Sequence, residues 1–382
     1  SIPQIREALT KANEPSDKPT LIIGVTVMGK GAVTAEGGSF EDKVSTHGQP
    51  LSAAGADYAA TVANLGGNPE DPFQIFEESK EVYEQRAAAL RAEMVERKAV
   101  EAEWRSANPA LAHKLDMFLA GKLPQIDYRS IEMKPNTATR AASATVLGVY
   151  AEKVENMIVA SADLSNSDKT DGFLKKTTAF KRGDFTGKFF QAGVSEFTMA
   201  CIMNGMALHG GVIPACGTFF VFSDYMKPVV RLSALMRLHV IYIWTHDSFR
   251  VGEDGPTHQP IEQEAQIRLM EHLHNHNGER SMVVLRPADS EDTVAAWKIA
   301  LEEQRPVALI LSRQDIKNLP TLNASRREEA MQAAKGAYIV MDSAKPKVVM
   351  IASGSEVSTL VEGAELLKKE GINVRVVNVP SE

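Results

Sequence analysis

Strands alternate with helices through the middle of this 382-residue chain, and this alternation limits the fold more than any other feature. From about Ala138 to Pro320, apolar runs of strand length each follow an amphipathic segment of helical length. The predicted strands are Met157–Ala160, Val212–Cys216, Val240–Trp244, Met282–Leu285 and Val307–Leu311. The helices predicted to precede them are Arg140–Lys153, Phe197–Leu208, Pro228–Met236, Ile261–Leu273 and Thr293–Glu303. Because parallel strands need a crossover connection, usually a helix, the alternation predicts an α/β protein with a doubly wound, mostly parallel sheet.

The flanking regions add further elements, and the length of the chain favours a multi-domain protein. The first region begins with a predicted helix, Ile5–Ala12, and a predicted strand, Thr20–Val27. Residues 72–106 mix charged residues with alanine at helical spacing, which predicts long helices, and residues 124–137 are typical of a linker. Residues 347–379 predict one β-α-β unit. A unit this small either docks on the middle region or continues in a longer natural chain.

Composition disfavours several classes of partner and location. The net charge is −7 and no long basic run is present, so we expect neither nucleic acid nor a membrane as a partner. No apolar run reaches the roughly 18 residues that a membrane span needs. The two cysteines, Cys201 and Cys216, fit a reduced protein, and we expect a cytoplasmic location. The tract His272–His276 has no acid or cysteine partner at metal-ligand spacing and is typical of a solvated turn, so we assign no metal ligand.

One polar loop directly follows the predicted strand Val240–Trp244. The loop covers residues 245–260, has the sequence T-H-D-S-F-R-V-G-E-D-G-P-T-H-Q-P, and contains His246, Asp254 and His258. In an open α/β sheet, ligands bind in the crevice beyond the carboxyl ends of the strands. We therefore expect this loop to be functional.

Two other polar residues, Asp163 and Arg313, also come just after predicted strands, as His246 does. Residues in this position on parallel strands are expected to share one crevice. Arg313, Arg140 and Arg286 could clamp a phosphate group through bidentate hydrogen bonds, or they could pair with surface acids.

Two further features have more than one interpretation from the residues alone. Glu196 lies at the start of a predicted helix, where the helix dipole favours a carboxylate, so a capping role is the simplest interpretation. Phe219, Phe220, Phe222 and Tyr225 form an aromatic cluster after a predicted strand, and core packing explains such a cluster without a ligand.

Several short motifs together match one family. They are Thr139-Arg-Ala-Ala-Ser143, Ser161-Ala-Asp-Leu164, Gly193-Val-Ser-Glu-Phe197, Leu208-His-Gly-Gly211, Thr245-His-Asp-Ser248, Glu253-Asp-Gly-Pro-Thr-His-Gln-Pro260, Leu285-Arg-Pro287 and Ile310-Leu-Ser-Arg-Gln314. In this order and spacing, the middle region resembles the pyrimidine-binding domain of the transketolases, which are thiamine diphosphate enzymes. Thr46-His-Gly-Gln-Pro-Leu51 resembles the end of the family's first domain, and Ala352-Ser-Gly-Ser-Glu-Val357 resembles the start of its third.

The resemblance implies a thiamine diphosphate-binding fold in three parts. Residues 1–136 would be the C-terminal part of the diphosphate-binding domain plus a linker, residues 137–322 the pyrimidine-binding domain, and residues 323–382 the start of the C-terminal domain. The family's metal-binding motif does not occur in this chain. We therefore expect the ligands of Mg²⁺ or Ca²⁺ to lie in an N-terminal segment outside this chain, and the chain alone to be inactive.

The resemblance also implies roles for residues around the cofactor. Glu196 matches the glutamate that hydrogen-bonds N1′ of the aminopyrimidine and promotes formation of the thiamine ylid, which replaces the capping interpretation. Phe219, Phe222 and Tyr225 match aromatic residues that enclose the pyrimidine ring. Asp163 matches a further cofactor contact. His47 matches a catalytic and cofactor-binding histidine near the thiazolium ring.

Other matched residues would contact the substrate. His246 and His258 match histidines that transfer protons and hydrogen-bond to sugar hydroxyls. Asp254 would distinguish the configuration of a substrate hydroxyl. The residues that would hold the sugar phosphate are Arg140, Ser167, His258 and Arg313.

The implied reaction is the transfer of a two-carbon glycolaldehyde unit from a ketose phosphate to an aldose phosphate, a reaction of the pentose phosphate pathway. A homodimer with active sites between subunits is implied as well. The alternatives are a related thiamine enzyme, such as dihydroxyacetone synthase or deoxyxylulose-phosphate synthase, and a non-catalytic chain that retains the fold.

Overall fold

The computed structural model describes residues 1–247, 251–252 and 254–381. The chain divides into two compact units, Ser1–Ala107 and Asn108–Glu382. No helix in the described part of the chain is both long enough and apolar enough to cross a membrane.

The first unit is helical. Its helices are α1 (Ile2–Ala12), α2 (Leu51–Ala54), α3 (Tyr58–Asn64) and α4 (Glu77–Ala107). The predicted first helix and the predicted long helical segment are both confirmed. Ion pairs one turn apart, Glu93 with Arg97 and Glu101 with Arg105, support the exposed surface of α4.

The predicted strand Thr20–Val27 is wrong. These residues form no strand, and the side chains of Leu21, Ile23 and Val25 are 84%, 80% and 96% exposed. A strand is stabilised by hydrogen bonds to a neighbouring strand, and the described residues of this unit offer only isolated bridges such as Val33 to Ser39. Hydrophobic content alone therefore gave the wrong prediction here.

The second unit contains the predicted helix–strand alternation. Its elements up to the last strand of the main sheet are α5 (Pro109–Leu119), α6 (Thr139–Lys153), β1 (Met157–Ser161), α7 (Ser165–Asp168), α8 (Asp171–Leu174), β2 (Phe189–Gln191), α9 (Glu196–His209), β3 (Ile213–Phe219), α10 (Ser223–Met236), β4 (Ile241–Thr245), α11 (Gln263–His272), β5 (Val283–Leu285), α12 (Ser290–Glu302) and β6 (Val307–Leu311). The strands form one parallel sheet in the order β2-β1-β3-β4-β6-β5. The predicted α/β class and parallel sheet are confirmed.

The sheet has an apolar core on each face, which explains why its central strands are continuous apolar runs. On one face, Ile243 and Leu309 pack with Val146 and Trp297 from helices. On the other, strand residues such as Trp244 pack with residues of α9 and α10. The short edge strand β2 was not predicted, because three residues carry too little periodic signal.

The C-terminal region contains α13 (Arg326–Ala330), β7 (Tyr338–Met341), β8 (Val348–Ala352), α14 (Glu356–Lys369) and β9 (Val374–Asn378). The predicted β-α-β unit is confirmed as β8-α14-β9, and β7 adds an antiparallel strand in the order β7-β9-β8. The C-terminal region contacts the middle region through a buried ion pair, in which Arg326 Nε of α13 lies 2.6 Å from Asp289 Oδ2. Asn378 also donates to Asp292 at 2.9 Å.

A glycine allows close packing of α8 against α6, the helix that carries Arg140. A Cβ added to Gly172 in α8 would overlap the carbonyl oxygen of Ala144 in α6 and lie 2.7 Å from its Cα. We expect Gly172→Ala to lower the free energy of unfolding by about 1–3 kcal/mol through overpacking. Chemical denaturation measures the change.

Gly363→Ala is the matched control, because a Cβ at this helical position would lie 3.6 Å from the flexible end of Met350. This substitution should be neutral or should stabilise the protein by up to about 1 kcal/mol. An equal loss in both variants would contradict a specific contact between α6 and α8.

Candidate ligand-binding site

Four neighbouring parallel strands end at the same edge of the main sheet. In the order β1-β3-β4-β6, they end at Ser161, Phe219, Thr245 and Leu311. Polar residues that follow these strands are therefore close in space, as the sequence predicted. The structure joins His246 and Arg313 at this edge through a shared neighbour, Asp254.

His246 is the centre of the cluster. Its side chain is buried, and its backbone has a φ of 64°, which is unusual for a residue other than glycine. Nδ1 lies 2.8 Å from Thr245 Oγ1, and Nε2 lies 3.3 Å from Arg140 Nη1. Since an arginine can only donate, Nε2 accepts this hydrogen bond, and the ring proton is assigned to Nδ1, which donates to Thr245. The ring also lies 3.7 Å, centroid to centroid, from Phe219.

The environment of His246 keeps the imidazole neutral. Burial lowers its pKa to about 3, and the positive charges of Arg140 and Arg313, together with His258, act in the same direction. The carboxylate of Asp254 lies 3.6 Å from Nε2 but does not offset these effects. His246 is therefore a proton acceptor whose strength depends on how far the two arginines are neutralised.

The two arginines near this histidine are both fixed by neighbours. Arg140, in the first turn of α6, donates from Nη1 to the backbone oxygen of Ser167 at 2.8 Å and contacts its Oγ at 3.4 Å. Arg313 Nε lies 2.9 Å from Asp254 Oδ2. Burial lowers the pKa of Arg140, and repulsion from Arg313 lowers it further. Two guanidinium groups that repel each other form a suitable site for a doubly charged anion.

His258 completes the aromatic side of the cluster. Its ring centroid lies 5.7 Å from that of Phe219 and 5.5 Å from that of Phe222, and its Nδ1 lies 2.9 Å from Thr257 Oγ1. Phe219 and Phe222 are stacked with centroids 5.8 Å apart. The aromatic cluster thus extends from His246 and His258 to Phe222, which also lines a cavity.

An open cavity of about 360 Å³ lies beside the aromatic cluster. Its lining residues are Ala162, Leu164, Val194, Glu196, Phe222 and Tyr225. The side chain of Glu196, the first residue of α9, is largely buried, and no other described residue donates a hydrogen bond to it. A carboxylate that lines an otherwise apolar cavity and accepts no hydrogen bond from another described residue fits a flat heterocycle that brings its own N–H group.

One predicted site residue of the second unit, Asp163, is not joined to this cluster by any described contact. Asp163 follows β1 with a φ of 63°, is exposed, and makes no hydrogen bond to another described residue. His47 lies in the first unit, where it is exposed and donates from its backbone to Val44. The motif residues Ser248, Phe249, Arg250 and Glu253 lie outside the described part of the chain.

The anion-binding cluster, hereafter the anion cluster, consists of Arg140, His246, His258 and Arg313. Arg286 does not belong to it, contrary to the interpretation of Arg286 as part of a phosphate clamp. It is buried, and its Nη2 lies 2.7 Å from Asp247 Oδ2. Burial opposes its charge, but the carboxylates of Asp247, Glu264 and Glu356 raise its pKa overall. Arg286 therefore has a buried structural ion pair, which the local sequence could not distinguish from a phosphate clamp.

Asp168 is a supporting residue that the sequence analysis did not identify. It is buried and accepts hydrogen bonds from Ser161 Oγ at 2.6 Å and from Thr170 Oγ1 at 2.7 Å. Burial raises its pKa, although these hydrogen bonds oppose the shift. Asp168 fixes the turn that presents Ser167 to Arg140. Its only signal in the sequence is a short run of polar residues after β1.

The fold and the site together define an α/β protein with a cofactor-sized cavity and an anion cluster at the carboxyl edge of a parallel sheet. The family description "Transketolase, pyrimidine binding domain" matches residues 136–318. "Transketolase, thiamine diphosphate binding domain" matches residues 1–124, and "Transketolase-like TK C-terminal domain" matches residues 336–382. The chain belongs to the transketolase family.

Individual relatives agree with this assignment. A transketolase of Bacillus subtilis is 40% identical over an alignment that covers 100% of this chain and 55% of the relative. The structure of transketolase from Leishmania mexicana matches with a TM-score of 0.85 and 32% identity. The match covers 100% of this chain and 54% of the Leishmania mexicana chain. A Pichia stipitis transketolase in complex with sedoheptulose 7-phosphate has a TM-score of 0.84 with the same identity and the same coverage. The chain thus spans about half the length of these relatives.

Protonation of His246 should cost stability as the pH falls. The folded-state pKa is about 3, whereas an unfolded histidine has a pKa of about 6.5, so the unfolded state binds the proton first. The stabilisation is complete above about pH 6.5 and is lost progressively toward about pH 3, with a loss of about 1.4 kcal/mol at about pH 5.5. Urea unfolding at several pH values measures this loss.

Two histidine variants separate this effect from the rest of the titration. His246→Gln should lack this part of the pH dependence, whereas His276→Gln, at an exposed position, should retain it. The same pH dependence in both variants would contradict a buried, neutral His246.

Proposed function

We propose that this chain forms part of a transketolase that transfers a two-carbon glycolaldehyde unit from a ketose phosphate to an aldose phosphate. The observation that carries the proposal is the placement of neutral His246 in contact with Arg140 and linked to Arg313 through Asp254, beside a cavity lined by the Glu196 carboxylate, which accepts no hydrogen bond from another described residue. The complex of the Pichia stipitis relative with sedoheptulose 7-phosphate supports a sugar phosphate as the ligand.

The residues of the cavity fit the aminopyrimidine of thiamine diphosphate. Glu196 would hold a proton at a ring nitrogen, which requires a carboxylate without another donor, and Phe222 and Tyr225 would cover the ring. Phe219, Asp163 and His47 are proposed as further cofactor contacts. When bound, thiamine diphosphate supplies the carbon nucleophile and electron sink for carbon–carbon cleavage. Mg²⁺ or Ca²⁺ is proposed as its metal, with no ligands assigned in this chain.

The anion cluster fits the phosphate of the sugar. Arg140, Ser167, His258 and Arg313 would hold this group, and Asp254 would hydrogen-bond a sugar hydroxyl. The clamp also has an electrostatic consequence for His246. A bound phosphate neutralises the two arginines that lower the histidine's pKa, so His246 becomes a better base only when the substrate is in place.

His246 and His258 would then act on the hydroxyl groups of the sugar. His246 Nε2 now accepts a hydrogen bond from Arg140. A substrate hydroxyl would replace Arg140 there and donate its proton to Nε2. His258 would hydrogen-bond the sugar from the aromatic side of the cluster. Both histidines would return protons when the new bond is complete, so the protein ends the reaction unchanged.

The organisation of the whole protein is also a proposal. We place the domain boundaries at residues 1–136, 137–322 and 323–382. We further propose a homodimer with active sites between subunits, a role in the pentose phosphate pathway and a cytoplasmic location. The two cysteines without disulfide partners are consistent with that location.

Loss of the Glu196 carboxylate should lower kcat. Glu196→Gln in the intact protein is expected to reduce the rate of ketol transfer by roughly 10²–10⁴-fold, the range for a positioned acid–base group, with little change in the KM for sugar phosphates. Glu77→Gln is the control, because it makes the same substitution at an exposed first-turn position. The rate of ketol transfer from xylulose 5-phosphate to ribose 5-phosphate is measured for both variants. Activity with formaldehyde or with pyruvate would instead indicate dihydroxyacetone synthase or deoxyxylulose-phosphate synthase, respectively. Full activity in Glu196→Gln would refute the assigned role.

Loss of Arg313 should mainly raise KM. One charge-assisted hydrogen bond is worth about 1.5–3 kcal/mol, so Arg313→Gln should reduce kcat/KM for phosphorylated sugars by about 10- to 100-fold. Sugars without a phosphate should be affected much less. Arg237→Gln, at an exposed ion pair with Glu279, is the control and should not change either value. An equal loss for phosphorylated and unphosphorylated sugars would count against the phosphate clamp.

A further inference from the structure

The residue after the central histidine is held by the C-terminal region. Asp247 is buried, and its Oδ2 accepts from Arg286 Nη2 at 2.7 Å and from Ser355 Oγ at 3.3 Å. The same Nη2 donates to Glu356 Oε1 at 3.0 Å. Ser355 and Glu356 are the N-cap and the first residue of α14. One arginine therefore connects the start of a C-terminal helix to the residue beside His246.

The backbone around Arg286 reinforces this connection. Its N–H donates to Pro380 at 2.8 Å, and its carbonyl accepts from Gly354 at 3.1 Å. Gly354 has a φ of 60°, and a Cβ there would lie 2.6 Å from Arg286 Nε, so this position requires glycine. The loop between β8 and α14 and the segment after β9 thus both contact Arg286. The contact is buried and involves both backbone and side chains, so it differs from an isolated surface ion pair.

His246 needs such support because its backbone is strained. A φ of 64° is disfavoured for a residue with a Cβ, and it persists only where the surrounding structure holds it. On the N-terminal side, Thr245 is fixed by pairing with Leu311 in β6. On the C-terminal side, Asp247 donates its N–H to Leu311 at 3.2 Å, and its carboxylate is held by Arg286 and Ser355.

We propose that the C-terminal region positions the candidate proton-transfer histidine, and that Ser355 and Glu356 do so through Arg286 and Asp247. These four residues are positioning residues, since none of them contacts the cavity or the anion cluster. The inference rests on the proposed function, which assigns proton transfer to His246. The C-terminal region would then help to position His246, although Ser355 and Glu356 lie more than 100 residues after this histidine in the sequence.

The test uses variants that weaken the connection without removing the buried arginine. Arg286→Met is unsuitable, because it would leave the buried Asp247 carboxylate without its cationic partner and destabilise the fold. The double variant Ser355→Ala/Glu356→Gln removes one hydrogen bond to Asp247 and one of the three negative charges beside Arg286. Glu362→Gln is the matched control, because Glu362 lies on the same helix and pairs with Lys317 at 2.6 Å, away from His246.

Two measurements in the purified protein, without cofactor or substrate, report the position of His246. Hydrogen exchange follows the Asp247 amide, which is bonded to Leu311. In the double variant, exchange of the segment containing Asp247 should rise about tenfold, the effect of losing one hydrogen bond to a charged group. Nitrogen NMR of the imidazole follows its pKa, which should rise toward the usual value of about 6.5 as the ring becomes hydrated. Glu362→Gln should change neither quantity.

Asp247→Asn shows whether the effect passes through Asp247. This variant should itself increase exchange, and adding Ser355→Ala/Glu356→Gln to it should cause no further increase. Additive effects would overturn the proposal, as would equal effects of Glu362→Gln, since both outcomes indicate general loosening of the domain. Unchanged exchange and pKa in the double variant would also overturn it. These measurements require no ketol transfer, so their failure would leave the proposed function standing.

Discussion

Parallel pairing of β1, β3, β4 and β6 is the constraint on which the site depends. The four strands are neighbours and run in one direction, so the turns that follow them meet at a single edge of the sheet. That edge receives His246 from β4 and Arg313 from β6, while the start of α6, which is hydrogen-bonded to Ser312, brings Arg140 next to them. The apolar cores on both faces fix the sheet, and they thereby fix the distances between side chains that are far apart in sequence.

Burial determines the chemistry that this edge can perform. In water, His246 would titrate near neutral pH, but burial beside two guanidinium groups keeps it uncharged and leaves Nε2 as an acceptor. Glu196 is the complementary case, a carboxylate in a mostly apolar cavity with no donor from the described protein. The site therefore pairs an anion-binding cluster with a cavity for a heterocycle, and His246 lies where these two halves meet.

The sequence predicted the sheet well because buried parallel strands are continuous apolar runs bounded by polar turns, and all five predicted middle strands are present. It also indicated that His246 and Arg313 would meet, since both follow such strands. It failed where pairing or burial decides the outcome. Residues 20–27 are largely apolar but pair with no strand among the described residues. Local sequence could not distinguish Arg286 from Arg140 as a phosphate ligand, because the partners of Arg286 come from distant segments.

A crystal structure of the intact protein with thiamine diphosphate and sedoheptulose 7-phosphate is the most direct test of this site. We expect the sugar phosphate to accept hydrogen bonds from Arg140 and Arg313, the sugar hydroxyls to face His246, and the pyrimidine ring to contact Glu196. A sugar phosphate bound elsewhere, with Arg140 still paired to Ser167 and Arg313 still paired to Asp254, would contradict the assignment.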